Sequence, residues 1–237
     1  MIKFFRKIRF DLMENNKTAK YLAYAIGEIV LVVIGILIAL QLNNHNETIK
    51  TNKFEREIIS LINQNLEQDS IALSARLMEA KQGNYLTDSL IAQVANKNYA
   101  DNLNQWMGKI ICFERFQSQS SAFEVLKAKG IESVSYNQLQ LELISYYDEY
   151  LFSLYKSLED VEYSFKTDWI PVLKTQFLDF KWRDYSVPID SKSFFEDKSN
   201  IVLFKLFRDN RDGGIEQMEA NLKKIAEIRK QIKEVYK

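Results

Sequence analysis

The chain has one histidine, one cysteine, two prolines and seven glycines in 237 residues, and each scarcity removes a class of explanation. His45 stands just behind a long apolar run, so the residues beyond it supply no histidine for a Ser-His-Asp triad, a Cys-His dyad or a multi-histidine metal site. Cys112, in KIICFERF, has no partner for an intramolecular disulfide, and its apolar and aromatic neighbours fit a buried small hydrophobe better than a reactive thiol. Beyond residue 42 the helix breakers are Gly83, Gly108, Gly130, Pro171, Pro188 and the pair Gly213-Gly214, which cut the chain into helix-length pieces. Charge of one sign is also missing there: residues 43–237 carry a net charge of −3, without the basic excess that nucleic-acid binding needs. Catalytic residues, cofactor ligands and metal ligands are accordingly expected to be none.

What is abundant is apolar length near the start. From Tyr21 to Leu42, YLAYAIGEIVLVVIGILIALQL, the only charged residue is Glu28. About 20 apolar residues at 1.5 Å rise cross a hydrocarbon core roughly 30 Å thick. The expected organisation is a basic or interfacial segment over 1–20, a transmembrane helix over 21–42, and an extracytoplasmic domain over 43–237. Lys3, Arg6, Lys7, Arg9, Lys17 and Lys20 precede the span and only Lys50, Lys53 and Arg56 follow it closely, which places the N-terminus in the cytoplasm and the domain in the periplasm. The long basic opening and the lack of an A-x-A-like site favour an uncleaved signal anchor over a removed signal peptide. Ile2, Phe5, Ile8 and Leu12 recur at helical spacing among those basic residues, the pattern of a short helix in a headgroup layer.

Glu28 sits about two turns into the span, where a carboxylate is costly without a partner. Tyr24, four residues earlier on the same face, is the local candidate to bond it. Ala23 with Gly27 and Gly35 with Ala39 repeat the small-xxx-small spacing that lets helices approach. These six residues nominate a lateral contact within the lipid bilayer, with another membrane or envelope protein or a second copy of the chain. The competing reading has Glu28 snorkelling and the glycines incidental.

The opening MIKFFRKIR, the segment YAIGEIVLVVIGILIALQ and the NN-x-NE stretch after it resemble an uncharacterised family of single-pass membrane proteins of Gram-negative Bacteroidota, catalogued as a domain of unknown function. The stretch Ser121 to Tyr150, SAFEVLKAKGIESVSYNQLQLELISYYDEY, is similar to that family's helix, glycine, helix pattern. At NN-x-NE this chain has His45 where the family pattern suggests Trp. The resemblance implies an inner-membrane location and no activity.

Beyond the span, Phe54, Ile58, Leu61, Ile62, Leu66, Leu73 and Leu77 recur at helical spacing, with a lapse near Asp69. The span either continues outward as a stalk or kinks at Asn43, Asn44 and Asn46. Ser121 to Lys129 reads as a helix capped by Gly130, and a Ser135/Gln138 capping box introduces the clearest seam: Ile144, Tyr147, Leu151, Leu154, Leu158, Val161 and Phe165. Ile215, Met218, Leu222, Ile225, Ile228, Ile232 and Val235 repeat the idea. Such seams mean antiparallel bundle packing or a coiled coil, and the expected fold is all-α, an antiparallel bundle of long helices. Residues 177–200 read as loop with short helical turns and a second capping box at Ser193/Glu196. In 209–216, DNRDGGIE reads as a glycine turn, because Arg211 and Gly213 stand where a calcium loop needs oxygen ligands.

Aromatics make up 13% of the chain, and Tyr146, Tyr147, Tyr150, Phe152 and Tyr155 crowd one helix, as core or as a binding surface. The carboxylate pairs Glu67/Asp69 and Asp148/Glu149 fit solvated helix faces better than acid-base work. Three function classes follow. The leading one is a membrane-anchored interaction or scaffold protein of the bacterial envelope, not an enzyme. A sensor-like periplasmic ligand-binding domain signalling laterally through a membrane partner is the alternative, and a carboxylate-dependent enzyme comes third.

Overall fold

Helix α1, Thr18–Ala95, takes in the apolar run and passes through Asn43, Asn44 and Asn46 without a break. The structure, a computed structural model, describes residues 18–100 and 102–236, and the side chains of residues 18–21 and Tyr24 fall outside that description. The interfacial helix expected of Ile2, Phe5, Ile8 and Leu12, and the Tyr24 bond to Glu28, therefore lie outside the described residues. Packing divides the chain into two units, Met1–Phe54 and Glu55–Lys237. In the first, the most apolar window of α1 has a mean hydropathy of 2.6 and none of it is buried. That helix is long and apolar enough to cross a membrane.

The second unit adds α2 (Asn102–Ile110), α3 (Ser121–Lys129), a 3-10 turn at Ile131–Ser133, α4 (residues 137–176), strands β1 (Phe177–Lys181) and β2 (Tyr185–Pro188), α5 (Ser191–Glu196) and α6 (Lys198–Val235). Helix α4 is continuous but widens into π turns at Ser145–Tyr150 and Phe165–Trp169. The second opens the backbone just ahead of Pro171, whose missing N–H a regular helix interior would leave as a fault.

Helix α6 runs antiparallel to both α1 and α4. Asn84 donates to Asp212 at 2.7 Å while Arg229 reaches Glu67 at 2.8 Å, and Asn221 donates to the Tyr150 carbonyl while Trp169 packs edge-on to Phe204. The fold is therefore mostly all-α, as the periodicity predicts. Leu151, Leu154, Leu158, Val161 and Phe165 are buried along α4, and Met218, Ile225, Ile228 and Ile232 along α6. Leu61 and Val235 depart from the expected seams and are exposed.

Four local expectations are corrected. Residues 177–188 form a two-stranded antiparallel hairpin rather than loop, with Lys181 opposite Tyr185 and a bulge between Phe177 and Asp179. It packs on α2 at Gly108, where a Cβ would collide with the backbone of Asp184 and Tyr185. Helix α5 is capped by Asp190, which accepts from the Ser193 N–H at 2.6 Å, so Ser193 and Glu196 form no capping box. Ser135 caps nothing either: α4 begins at Asn137, and Ser135 donates through N–H and hydroxyl to Glu55 at 2.6 Å. Gly213 and Gly214 lie inside α6 instead of forming a turn. Two interior glycines cost about 1 kcal/mol each against Ala, and packing against α1 and α4 overrides that local preference. At Gly130 the expected positive backbone angle is present, φ 114°, and its N–H donates to the Leu126 carbonyl.

Glu55 begins the second unit and ties three elements together, since Tyr236 also donates to it at 2.5 Å. Burial alone would raise its pKa, but the hydrogen bonds from Ser135 and Tyr236 outweigh it and lower the value below the ordinary glutamate range.

Leu154 is fully buried on α4. Leu154→Ala is expected to cost about 2–5 kcal/mol of stability, read from the urea midpoint of the full chain in detergent. An unchanged midpoint would remove Leu154 from the core.

Candidate interaction groove

Residues 112–119, CFERFQSQ, alternate in burial as a strand does, with Cys112, Glu114 and Ser118 inward and Arg115, Gln117 and Gln119 outward, yet they belong to neither strand of the sheet. Both ends are fastened. At the start, the fully buried Arg211 donates to the carbonyls of Ile110 at 2.5 Å and Cys112 at 3.2 Å, and to Asn84 at 3.0 Å, with its guanidinium 4.9 Å over the Phe207 ring. Burial lowers its pKa. Next, Arg183 donates to the Phe113 carbonyl at 3.2 Å. At the far end the Ser118 N–H donates to the Tyr155 hydroxyl at 3.0 Å and the Gln119 N–H to Asp69 at 2.9 Å, while the Ser118 hydroxyl makes a short bond to the same carboxylate. Among the described residues, the backbone groups of 114–117, between these anchors, make no hydrogen bond.

Asp69 fills the lapse in the α1 seam and is buried, which corrects its reading as solvated surface. Tyr146, turned inward on the first π turn of α4, donates to it at 3.4 Å, and Tyr147 beside it stacks on Phe123 at 4.1 Å. Burial raises the Asp69 pKa despite the hydrogen bonds from Ser118, Gln119 and Tyr146.

The free stretch forms one wall of an open groove against α4. Between 114–117 and the α4 residues Tyr155, Leu158, Glu159 and Glu162 lies a space of about 480 Å³. It shares Arg115 with a neighbouring cleft of about 540 Å³ lined by Arg76, Phe113, Arg115, Phe165, Trp182 and Arg183. The second π turn of α4 supplies Phe165, and the rings of Phe113, Phe165 and Trp182 meet pairwise at 5.0–5.3 Å between centroids. Arg115 lies over the Phe113 ring at 5.1 Å and grips Glu162 with two bonds of 2.9 and 2.6 Å. Arg115 first, and Lys166 second, hold the Glu162 pKa at about 2.

Trp182 and Arg183 form the tip of the hairpin. The Asp184 N–H bonds the Lys181 carbonyl at 3.0 Å, and Arg183 takes φ 61°, the conformation for which such turns favour glycine. That strain is offset by ion pairs from Arg183 to Glu114 at 2.7 Å and Glu79 at 3.1 Å. Burial first, and the neighbouring Glu79 carboxylate second, raise the Glu114 pKa, against the lowering effect of Arg183. Cys112 beside them is buried, donates to the Lys109 carbonyl, and is pushed up to about 11 by burial, so it is a packed hydrophobe, as its setting in the sequence predicts.

The residues singled out in the sequence lie elsewhere. Ala23, Gly27, Gly35 and Ala39 are exposed on the first unit, where a Cβ added at either glycine would meet no other described residue within 4 Å, and Glu28 is half-exposed. Sequence reading missed Arg76, Phe113, Arg115, Phe165, Trp182 and Arg183, which converge from four separate segments. The one local signal was the lapse at Asp69 in the apolar seam of α1, because FERFQSQ has no polar-apolar alternation that would mark a strand. Among the described residues no group of three or more His, Cys, Asp or Glu side chains could hold a metal ion.

These features define a class: a helical bundle that carries one long apolar helix and an open groove of arginine and aromatic side chains. The chain belongs to the family of unknown function DUF6090, whose profile matches residues 28–208 and so includes the whole groove. No curated protein and no solved structure matches the chain.

A carboxylate with a raised folded pKa stabilises the fold fully below its unfolded value of about 3.9 and loses that contribution as pH rises through the folded value. Asp69→Asn keeps the shape without the charge. Its melting temperature is expected to decline less than the parent's as pH is raised from about 4 to 7. Parallel declines would show that Asp69 carries no such burial penalty.

Proposed function

We propose that this protein is a membrane-anchored interaction or scaffold protein of the bacterial envelope, not an enzyme, with the groove between residues 113–118 and α4 as its docking surface. The observation that carries the reading is the groove's composition: Trp, Tyr and Arg side chains, the types that dominate binding energy at protein interfaces, line it with two Phe rings beside a stretch whose backbone groups make no hydrogen bond among the described residues. In this reading the apolar helix over 21–42 crosses the inner membrane once, with the basic segment 1–20 in the cytoplasm and residues 43–237 in the periplasm. Glu28, with Ala23, Tyr24, Gly27, Gly35 and Ala39, forms a lateral contact with another envelope protein or a second copy.

Topology is tested by reporters active only in the periplasm. A fusion after Lys237 is expected to be active and one within residues 1–20 silent, and the reverse pattern overturns the orientation.

The docking surface is tested by a photo-cross-linking residue at Gln117 of the full chain in its native membrane. A discrete adduct is expected, reduced at least about tenfold when Trp182 is replaced by Ala, a loss of about 1.4 kcal/mol or more. The same cross-linker at the exposed Tyr85 serves as control, and adducts equal at both positions contradict the reading. Glu28→Leu is expected to weaken lateral cross-links within the span and leave abundance intact, whereas unchanged cross-links confine Glu28 to snorkelling.

A further inference from the structure

We propose that the groove takes an extended peptide of about four to five residues, which pairs its backbone with residues 114–117, seats an aromatic or branched apolar side chain on Phe113, Phe165 and Trp182, and directs a carboxylate to Arg76. This rests on the docking reading above and names the chemistry of the partner.

Three observations support it. The first is the free edge. Residues 112–119 alternate like a strand and are pinned at both ends, so 114–117 are held extended, with Arg115 and Gln117 exposed and backbone donors and acceptors that meet no protein group among the described residues. A strand edge of this kind takes its affinity from main-chain bonds and its specificity from pockets for alternate side chains.

The second is length. The two cavities together follow α4 from Tyr155 to Phe165, about 15 Å of helix at 1.5 Å per residue, with the Arg115–Glu162 pair between them, and an extended chain passing over that pair covers the length in about four to five residues at 3.3 Å each. The aromatic cluster sits at the Phe165 end, so an apolar side chain of the peptide is wanted there and not along the whole groove.

Charge is the third. Arg76 reaches Glu79 at 2.7 Å and Glu114 at 3.6 Å through Nη1 alone, and its Nε and Nη2 donate to no described residue. A guanidinium with one edge unused matches a carboxylate with two parallel bonds. At the other end of the groove Glu159 stands on α4 and disfavours a second acid there. The occupant is therefore acidic at the aromatic end and neutral or basic at the Tyr155 end.

The test uses the full chain in lipid nanodiscs and the fluorescent peptide mixture Ac-X-Phe-X-Glu-X-amide, X being any residue except cysteine, with binding read by anisotropy. Two further mixtures carry N-methyl groups on alternate amides, one set on residues 1, 3 and 5 and the other on 2 and 4. Saturable binding is expected, weakened at least about tenfold by one N-methyl register and little by the other, because only alternate amides face a paired edge. Trp182→Ala and Arg76→Gln are each expected to weaken it about tenfold, with melting curves confirming that both variants fold. Absence of saturable binding overturns the proposal. Equal weakening by both registers overturns strand pairing and leaves a side-chain pocket for a small molecule. If the Gln117 cross-link forms in membranes while the peptides fail, the docking surface stands and this account of its occupant falls.

Discussion

Asp69 is the point on which the second unit, Glu55–Lys237, turns. Its buried carboxylate accepts from Gln119 at 2.9 Å, from Ser118 and from Tyr146, and so joins α1, the start of α3 and the first π turn of α4. Burying a carboxylate without partners costs several kcal/mol, and here three donors offset part of that cost while burial still raises its pKa. What the arrangement achieves is position. It fixes the far end of a strand-like segment whose near end is fixed by Arg211, leaving residues 114–117 extended, with backbone groups that make no hydrogen bond among the described residues.

The two π turns serve the same surface. A regular α4 would carry its seam past the groove at a constant 3.6-residue period, whereas each wide turn re-aims the residues beside it. At the first, Tyr146 turns in toward Asp69 and Tyr147 stacks on Phe123. The second gives Phe165 to the cleft and sends Trp169 into the core against Phe204 and Phe207. Arg183, at its positive φ, completes the wall from the hairpin side through its pairs with Glu79 and Glu114. Such local strain persists where surrounding contacts over-determine it.

The long seams were legible because apolar period is the strongest secondary-structure signal, and Leu154, Leu158, Ile225 and Ile228 occupy the core as that period requires. The hairpin was not, since YSVP is four residues long and its pairing depends on the close approach at Gly108, which is a tertiary fact. Gly213 and Gly214 misled for the converse reason: local preference marks them as breakers, and packing of α6 against α1 and α4 overrides it. Ser135 likewise matches a capping box by spacing but bonds Glu55, 80 residues away. The groove was hidden because Arg76, Phe113, Phe165 and Trp182 come from segments far apart in sequence. Only Asp69, as a polar interruption of an apolar seam, marked the site in advance, and a lapse of one residue does not distinguish a buried anchor from a solvated face.

The central claim, a strand-like segment anchored at both ends and open between them, is most directly tested by amide hydrogen exchange on the full chain in nanodiscs. The account predicts strong protection at Ser118 and Gln119, whose N–H groups bond Tyr155 and Asp69, and exchange close to the unprotected rate at Glu114, Arg115, Phe116 and Gln117. Uniform protection across 114–119 would mean that the edge is already paired, and uniform exchange would mean that Asp69 does not hold the segment; either result contradicts it.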